Sequence, residues 1–431
     1  MSERESTELH RASRGFFIFL FFFFSGLDPF TLLTDGIISV GVGYFLSLLI
    51  FVVVPLLNSP IRSFSNMSMR VPIVMIVGVV VLRFVADLFV TSSIAQGPYR
   101  TFLMSGCFYL LYFVIGRKLN DVSLDQTMKD FVMVSSVVSC IPVLSVLGFS
   151  LPILTTLRTY ELYGAEVGDF VRLQTTYHHF SVLAVLFVVY LMIEGRLSPL
   201  RKVRLGLLGL LNLWNVLISG YRANLYVLLG VVALFGAYSI SVKREKGTIW
   251  LAMLLIPIFV YVGRFIEARN LETATEAGSD SSLAYRFIEL GFGFDKQDEK
   301  GNWILGVGYN DGFVNPAAIP GDQETYFLHN GYASILYNYG IVGSVAWLAL
   351  ILYVGVFVVK RVSNCRRNLL FILLSLYFLG QLLVNFSSGI FNREFSATFC
   401  FILAVDLLER AVIVGEGSSL PSPYQGSSRT D

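Results

Sequence analysis

Long apolar runs, separated mostly by short polar or basic turns, make up most of this chain. Runs of about 17–25 apolar residues are long enough to cross the hydrocarbon core of a bilayer as helices. The pattern predicts an all-α, polytopic membrane protein with about twelve transmembrane helices. The predicted helices lie at 15–34, 37–57, 71–91, 101–117, 130–151, 177–194, 203–219, 223–241, 247–264, 331–359, 368–388 and 394–411.

Lysine and arginine collect in alternate connections between these predicted helices. Positive charge close to membrane helices marks the cytoplasmic side. The alternation therefore predicts that both termini are cytoplasmic, which requires an even number of helices. The basic connections contain Arg11 and Arg14; Arg62 and Arg70; Arg117 and Lys118; Arg196, Arg201, Lys202 and Arg204; Lys243, Arg244 and Lys246; and Lys360, Arg361, Arg366 and Arg367.

Two longer polar segments, at 152–176 and 264–330, are predicted to lie on the outer face, which in a bacterium is periplasmic. The larger one is acidic overall and has room for short helices, for which 281–290 is a candidate. Its Gly-rich run at 306–312 suits tight turns. The predicted organisation is nine transmembrane helices in 1–263, a long periplasmic loop in 264–330, three transmembrane helices in 331–411 and a disordered cytoplasmic tail in 412–431.

Composition narrows the class of protein further. The 431 residues are 55% hydrophobic and 14% charged, whereas charged residues are about a quarter of a soluble protein. The net charge of +2 is no argument for a nucleic-acid partner, and none is expected. The four cysteines lack metal-ligand spacing, so we expect packing residues without a disulfide. The absence of a Walker motif, an inner-face Asp-x-Asp and a zinc signature argues against an ATP-driven or cytosolic sugar-nucleotide enzyme.

Four basic groups are predicted on the outer face: Arg222, Arg286, His329 and Arg393. Arg222 lies in a tight Ser-Gly-Tyr-Arg turn between two apolar helices, against the inside preference of positive charge. A guanidinium matches a phosphate in bidentate fashion, so an anionic ligand is one explanation. Contact with lipid headgroups or with a neighbouring carbonyl is the other.

Arg286 lies in a stretch whose apolar spacing predicts an amphipathic helix on the membrane surface. It binds an anionic ligand or forms a salt bridge with Glu289 on the same helix face. His329 begins a predicted membrane helix, where a neutral imidazole can accept a proton from a hydroxyl; its alternative is a hydrogen bond to the backbone. Asn330 is either the N-cap of that helix or an amide that positions a ligand.

Weaker candidates complete the outer face. His178 opens a predicted helix and could line a saccharide path, although the His178-His179 pair lacks the partners of a metal site. Arg83 and Asp87, four residues apart in one helix, are expected to neutralise each other. Gly340 and Gly343 indicate close helix packing. The residues predicted to contact substrate are Asn330, Tyr326, Arg393, His178 and Tyr221.

These motifs occur in a distinctive order. Ser219-Gly-Tyr-Arg222 is followed by Arg286, then by Leu305-Gly-Val-Gly308-Tyr, His329-Asn330-Gly-Tyr and Gly340-Ile-Val-Gly343. Over residues 205–360 the chain resembles the O-antigen ligase and polysaccharide polymerase superfamily. It departs from that pattern in having Ser-Gly-Tyr-Arg where many relatives have Ser-Arg-Gly.

The resemblance implies a bacterial inner-membrane glycosyltransferase that uses no metal and no cofactor. It would take a glycan from undecaprenyl diphosphate on the periplasmic face and pass it to a hydroxyl of a saccharide acceptor. By position, Arg222 and Arg286 match the arginines assigned to the donor diphosphate, and His329 matches the proposed base or acceptor-orienting residue. The expected partners are the lipid-linked donor, the saccharide acceptor, the lipid bilayer and other polysaccharide assembly proteins.

The acceptor separates two forms of such an enzyme. A polymerase extends a lipid-linked repeat unit, whereas a ligase moves the finished chain to the lipid A core or to protein. The acidic outer loops favour a polymerase, because they suit a phosphorylated core poorly. A transporter or flippase without covalent chemistry is the alternative from another class; it predicts ionisable residues and broken helices near the bilayer midplane.

Overall fold

The fold is known from a computed structural model, which describes residues 14–18, 69–90, 108–116, 119, 122–146, 178–194, 197–219, 222–243, 282–300, 302–308, 328, 330–366, 368–387, 391 and 395–417. The predicted helices at 37–57 and 247–264 lie outside these residues, as does most of the predicted helix at 15–34. So do the smaller outer segment, at 152–176, and the tail beyond 417.

The described residues are almost entirely helical, and no strand occurs among them. Short helical stretches at 14–18 and 108–116 accompany nine longer helices. The longer helices are α1 (Arg70–Val90), α2 (Leu124–Val146), α3 (His178–Glu194), α4 (Pro199–Ile218), α5 (Arg222–Lys243), α6 (Ser282–Lys300), α7 (Gly331–Val362), α8 (Leu369–Ser387) and α9 (Phe395–Gly417).

Within this part of the chain, three helical segments are long and apolar enough to cross a membrane: Ala223–Ser241, Gly331–Val362 and Leu369–Phe386. The apolar helix His178–Glu194 is shorter. These segments support the prediction of an all-α membrane protein, but they do not confirm twelve spans. Three boundaries differ most from those predicted: α2 begins at Leu124 instead of 130, α6 continues to Lys300 instead of ending near 290, and α9 continues to Gly417, into the predicted tail.

Helix α3 is the centre of the described bundle. It is apolar on every side, and its residues from His178 to Leu191 are all buried. A helix that is hydrophobic all round belongs in the interior of a protein, and α3 packs against α2, α4, α5, α8 and α9. These five helices therefore take their positions from contacts with α3.

Helices α5 and α8 run antiparallel. A Cβ atom on Gly380 of α8 would lie 2.3 Å from the Val227 side chain of α5, and the Tyr238 hydroxyl near the end of α5 donates to the Arg366 carbonyl before α8. The start of α5 therefore lies beside the end of α8. We call this end of the bundle the upper end.

The opposite end carries most of the positive charge of the described helices. Helix α4 begins there, α7 ends there, and Met69, just before α1, donates its amide to Glu409 near the end of α9. We call it the basic end. Lysines and arginines at this end include Arg70, Arg201, Lys202, Arg204, Lys360, Arg361 and Arg366.

A seam of buried serine and asparagine side chains joins α2, α3 and α4. The Asn212 side chain accepts from Ser135 at 2.7 Å and from Ser139 at 3.2 Å, and it donates to Ser136 at 2.7 Å. Ser139 also lies 3.0 Å from Ser181 of α3. In an apolar bundle such hydrogen bonds fix the neighbours of each helix.

Candidate functional site

Helix α7 is broken at Gly340, which has φ 64° and ψ −160°. Beyond the break, the amides of Ile341 and Val342 donate to carbonyls outside the helix. Their acceptors are Trp303 at 2.9 Å and Ile304 at 3.2 Å. A segment from the long polar loop, Asn302 to Gly308, therefore supplies the hydrogen bonds that an unbroken helix would make within itself.

Two glycines make this crossing possible. A Cβ atom on Gly340 would lie 2.4 Å from the Gly306 nitrogen and from the Ile304 carbonyl oxygen, and one on Gly306 would lie 2.5 Å from the Gly340 nitrogen. Both residues have positive φ, which glycine adopts at no steric cost. The prediction that Gly340 serves helix packing is corrected: Gly340 breaks its own helix and contacts a loop.

The buried guanidinium of Arg83 holds the same segment from the side of α1. It donates to the carbonyls of Gly306 at 2.7 Å, Val307 at 2.8 Å and Leu305 at 3.3 Å. The predicted ion pair of Arg83 with Asp87 is confirmed. Arg83 therefore does more than neutralise the charge of Asp87. It also binds a loop more than two hundred residues away in sequence.

Backbone carbonyls of α7 just before the break at Gly340 also accept hydrogen bonds from outside the helix. Tyr337 O accepts from the Val307 amide at 2.7 Å and from the Gln297 side chain of α6 at 3.1 Å. The same Gln297 amide donates to Leu336 O at 2.5 Å. Helix α6 and the loop segment therefore both attach to the last turn before the break.

The first turn of α7 is also tied to α6. The Asn330 side chain accepts from the amides of Tyr332 and Ala333, each at 3.1 Å, so the N-cap interpretation of Asn330 is confirmed. The Asn330 amide donates to the fully buried carboxylate of Glu289 at 3.1 Å. Arg286 lies one turn before Glu289 on α6, and His329 directly precedes Asn330.

The end of α8 packs against the first turn of α7 and against α6. Gly331 lies directly against Asn385, whose Oδ1 would be 2.2 Å from a Cβ atom on Gly331. The rings of Phe287 and Phe386 are 5.5 Å apart. Because Val227 faces Gly380 in the antiparallel pair, Arg222, which begins α5, is level with Asn385.

Helix α3 begins at this upper end too. His178 and His179 are buried, with ring centroids 4.2 Å apart. The Asn224 side chain of α5 lies 3.3 Å from Nδ1 of His179. The Phe180 ring, in turn, is 5.6 Å from Phe399 at the start of α9.

The backbone positions of Arg222, Arg286, Asn330 and His178 thus all belong to the upper end of the bundle. The side chains of Arg222 and Arg286 fall outside the described part. Tyr221, Tyr326, His329 and Arg393 also lie outside the described residues, and their nearest described neighbours along the chain include Arg222, Leu328, Asn330 and Phe391, respectively.

Sequence reasoning missed three contributors to this arrangement. The sequence pattern indicates Glu289 only as a salt-bridge partner of Arg286, gives no signal for Gln297, and pairs Arg83 only with Asp87. An arginine in an apolar helix is a signal of a special role. Its carbonyl partners lie far away in sequence and leave no periodic trace.

The described residues contain no group of three or more His, Cys, Asp or Glu side chains placed to hold a metal ion. No protein-family model matches this chain, and no curated protein matches it. The upper end itself therefore has to indicate the function: Arg222 and Arg286 belong to helices that meet there, beside a broken helix that the buried Arg83 holds in place.

Proposed function

We propose that this chain is an inner-membrane glycosyltransferase that transfers a glycan from undecaprenyl diphosphate to a sugar hydroxyl on the periplasmic face. The observation that carries the proposal is the hydrogen bond between Glu289 and the Asn330 amide. It joins the helix of Arg286 to the residue that follows His329. Two motifs of the family resemblance, distant in sequence, are thereby neighbours.

The proposed mechanism needs only side chains of this chain. Arg222 and Arg286 bind the diphosphate and stabilise the charge that develops on it as it leaves. His329 accepts the proton of the acceptor hydroxyl. The acceptor oxygen forms a bond to the anomeric carbon from the opposite face, the bond from that carbon to the diphosphate oxygen breaks, and undecaprenyl diphosphate leaves with the electron pair.

The depth of the break in α7 supports a site at the membrane boundary. About twenty residues separate Gly340 from Lys360, which is about 30 Å of helix. The hydrocarbon core of a bilayer is also about 30 Å thick. With Lys360 and Arg361 at the cytoplasmic headgroups, Gly340 reaches the outer edge of the core, where the diphosphate of a carrier lipid resides.

A transporter is the second candidate, because α7 is broken and α1 carries a buried ion pair, as in many transporters. In a transporter, the helix breaks are expected near the midplane of the bilayer. The boundary position of Gly340 therefore favours the transferase. Among transferases we prefer a repeat-unit polymerase over a ligase that acts on the lipid A core, because of the acidic outer loops.

The test is transfer of labelled saccharide between lipid carriers by purified protein in liposomes. We expect the parent protein to lengthen the lipid-linked saccharide without added metal. Arg286→Ala and His329→Ala should each lower the rate by about 100-fold, the size typical of losing a charge-stabilising donor or a general base. Arg201→Ala, at the basic end, is the matched control and should keep the parental rate.

Three outcomes oppose the proposal in different ways. Parental rates in both variants would remove Arg286 and His329 from the mechanism. Movement of the saccharide across the bilayer with its glycosidic bonds unchanged would favour the transporter. Transfer to lipid A core but not to a lipid-linked repeat unit would replace the polymerase with the ligase.

A further inference from the structure

We infer that Arg83 is a positioning residue for the proposed transfer: from within α1 it holds the break in α7 in shape and so sets the position of the first turn of α7. The inference rests on the proposed function for its catalytic consequence. Its structural part depends only on contacts between described residues.

The buried guanidinium of Arg83 makes several hydrogen bonds at once. The Arg83 side chain is 7% exposed and reaches three consecutive carbonyls, those of Leu305, Gly306 and Val307. Asp87, one turn along α1, balances its charge. A buried charge is tolerated only when it is paired and hydrogen-bonded, so the loop segment and the arginine require each other.

The carbonyls that Arg83 binds belong to the loop segment that attaches to the break in α7. The residues that Arg83 holds are part of the segment that accepts from Ile341 and Val342 and donates from Val307 to Tyr337. The break at Gly340 leaves these groups of α7 without helical partners. Release of the segment would therefore expose amides and a carbonyl on both sides of the break.

The geometry of these contacts requires an arginine at position 83. A guanidinium is planar and offers five donors in a rigid fork, whereas a lysine ammonium is a compact charge with no such geometry. Gly308 makes room for the fork, because a Cβ atom there would lie 2.4 Å from a terminal nitrogen of Arg83. Lysine at this position keeps the charge but cannot reach three carbonyls and Asp87 together.

The consequence reaches the proposed site through α7. The part of α7 before the break begins at Asn330 and Gly331, directly after His329. Its far end is fixed by the Arg83-held segment and by Gln297 of α6, and its start is fixed by Glu289 and Asn385. Loss of the Arg83-held segment leaves only Gln297 at the far end, so this short helix can tilt. A displacement of about 1 Å at a reacting group costs about 100-fold in rate.

The experiment compares Arg83→Lys with the parent protein and with Leu82→Ala, a neighbouring exposed position on α1. We expect Arg83→Lys to lower kcat for saccharide transfer by about 10- to 100-fold, while KM for the lipid-linked donor stays within about two-fold of the parental value. Hydrogen exchange of the Val307, Ile341 and Val342 amides should be at least about 10-fold faster than in the parent. Leu82→Ala should change none of these.

If Arg83→Lys does not fold, the double variant Arg83→Gln with Asp87→Asn removes both charges, so that no unpaired charge stays buried. Parental kcat in the folded variant, or parental exchange at the three amides, overturns the inference. If the parent protein transfers no saccharide, the proposed function fails. Exchange then decides alone: faster exchange in the variant upholds the positioning of α7 by Arg83, and unchanged exchange overturns it.

Discussion

Gly340 shows how a single residue can set the shape of the proposed site. Replacement by alanine would force a Cβ atom to within 2.4 Å of Gly306 N and Ile304 O at a φ of 64°. Strain at such a backbone conformation costs about 1–3 kcal/mol, and displacement of the loop adds to it. We expect Gly340→Ala to lower the midpoint of thermal unfolding in detergent by several degrees, measured by intrinsic fluorescence.

Gly355, on the same helix, is the matched control. A Cβ atom there meets nothing within 4 Å, and alanine is favoured over glycine in a regular helix by up to about 1 kcal/mol. Gly355→Ala should therefore leave the midpoint unchanged or raise it. Equal midpoints in the two variants would show that the Gly306–Gly340 contact does not stabilise the fold.

At the scale of elements, the seam around Asn212 fixes how α2, α3 and α4 associate. Its side chain makes hydrogen bonds to three serines of α2 and to the Leu208 carbonyl. Bonds of this kind in membrane bundles contribute about 0.6 kcal/mol each on average. We expect Asn212→Leu to destabilise the bundle by about 2 kcal/mol, measured as the denaturant needed to unfold it.

Leu210→Ala is the control for that measurement, because Leu210 lies on the exposed face of the same helix. It should change stability little. An Asn212→Leu protein as stable as the parent would mean that apolar packing alone holds the three helices together.

The elements also show what the sequence could and could not predict. Apolar runs bounded by polar turns anticipated most of the described helices, and the Asn330-Gly331 pair marked the start of α7. The break in α7 was missed, because Gly340 lies in an apolar run of helical length. Its missing hydrogen bonds are replaced by Trp303 and Ile304, and only the folded chain brings those residues near.

The candidate site, too, is predicted from the sequence only in part. Charge alternation predicts Arg222, Arg286, His329 and Arg393 on one face of the membrane. The backbones of Arg222 and Arg286 lie at one end of the bundle, and His329 and Arg393 lie outside the described residues. The attachments that hold this end, from Glu289 to Asn330 and from Arg83 to the loop, join residues far apart in sequence. Such pairings depend on tertiary contacts and leave no local pattern.

At the scale of the whole molecule, the two ends of the bundle differ in charge and in the elements they carry. Basic residues such as Arg201, Lys360 and Arg366 collect at one end, while the break in α7 and the starts of α3, α5 and α7 lie towards the other. Retained positive charge marks the cytoplasmic side of a membrane protein. The upper end is therefore predicted to face outward.

Labelling of introduced cysteines in spheroplasts tests this orientation. Glu299→Cys places a thiol near the end of α6, where the native side chain is 59% exposed, and Ser363→Cys places one on the exposed turn after α7. A membrane-impermeant maleimide should label the cysteine at 299 in intact spheroplasts and the one at 363 only after permeabilisation. The parent protein, whose Cys365 and Cys400 are buried, gives the background. Labelling of both from outside, or the reverse order, would contradict the orientation and remove the periplasmic site on which the proposed transfer depends.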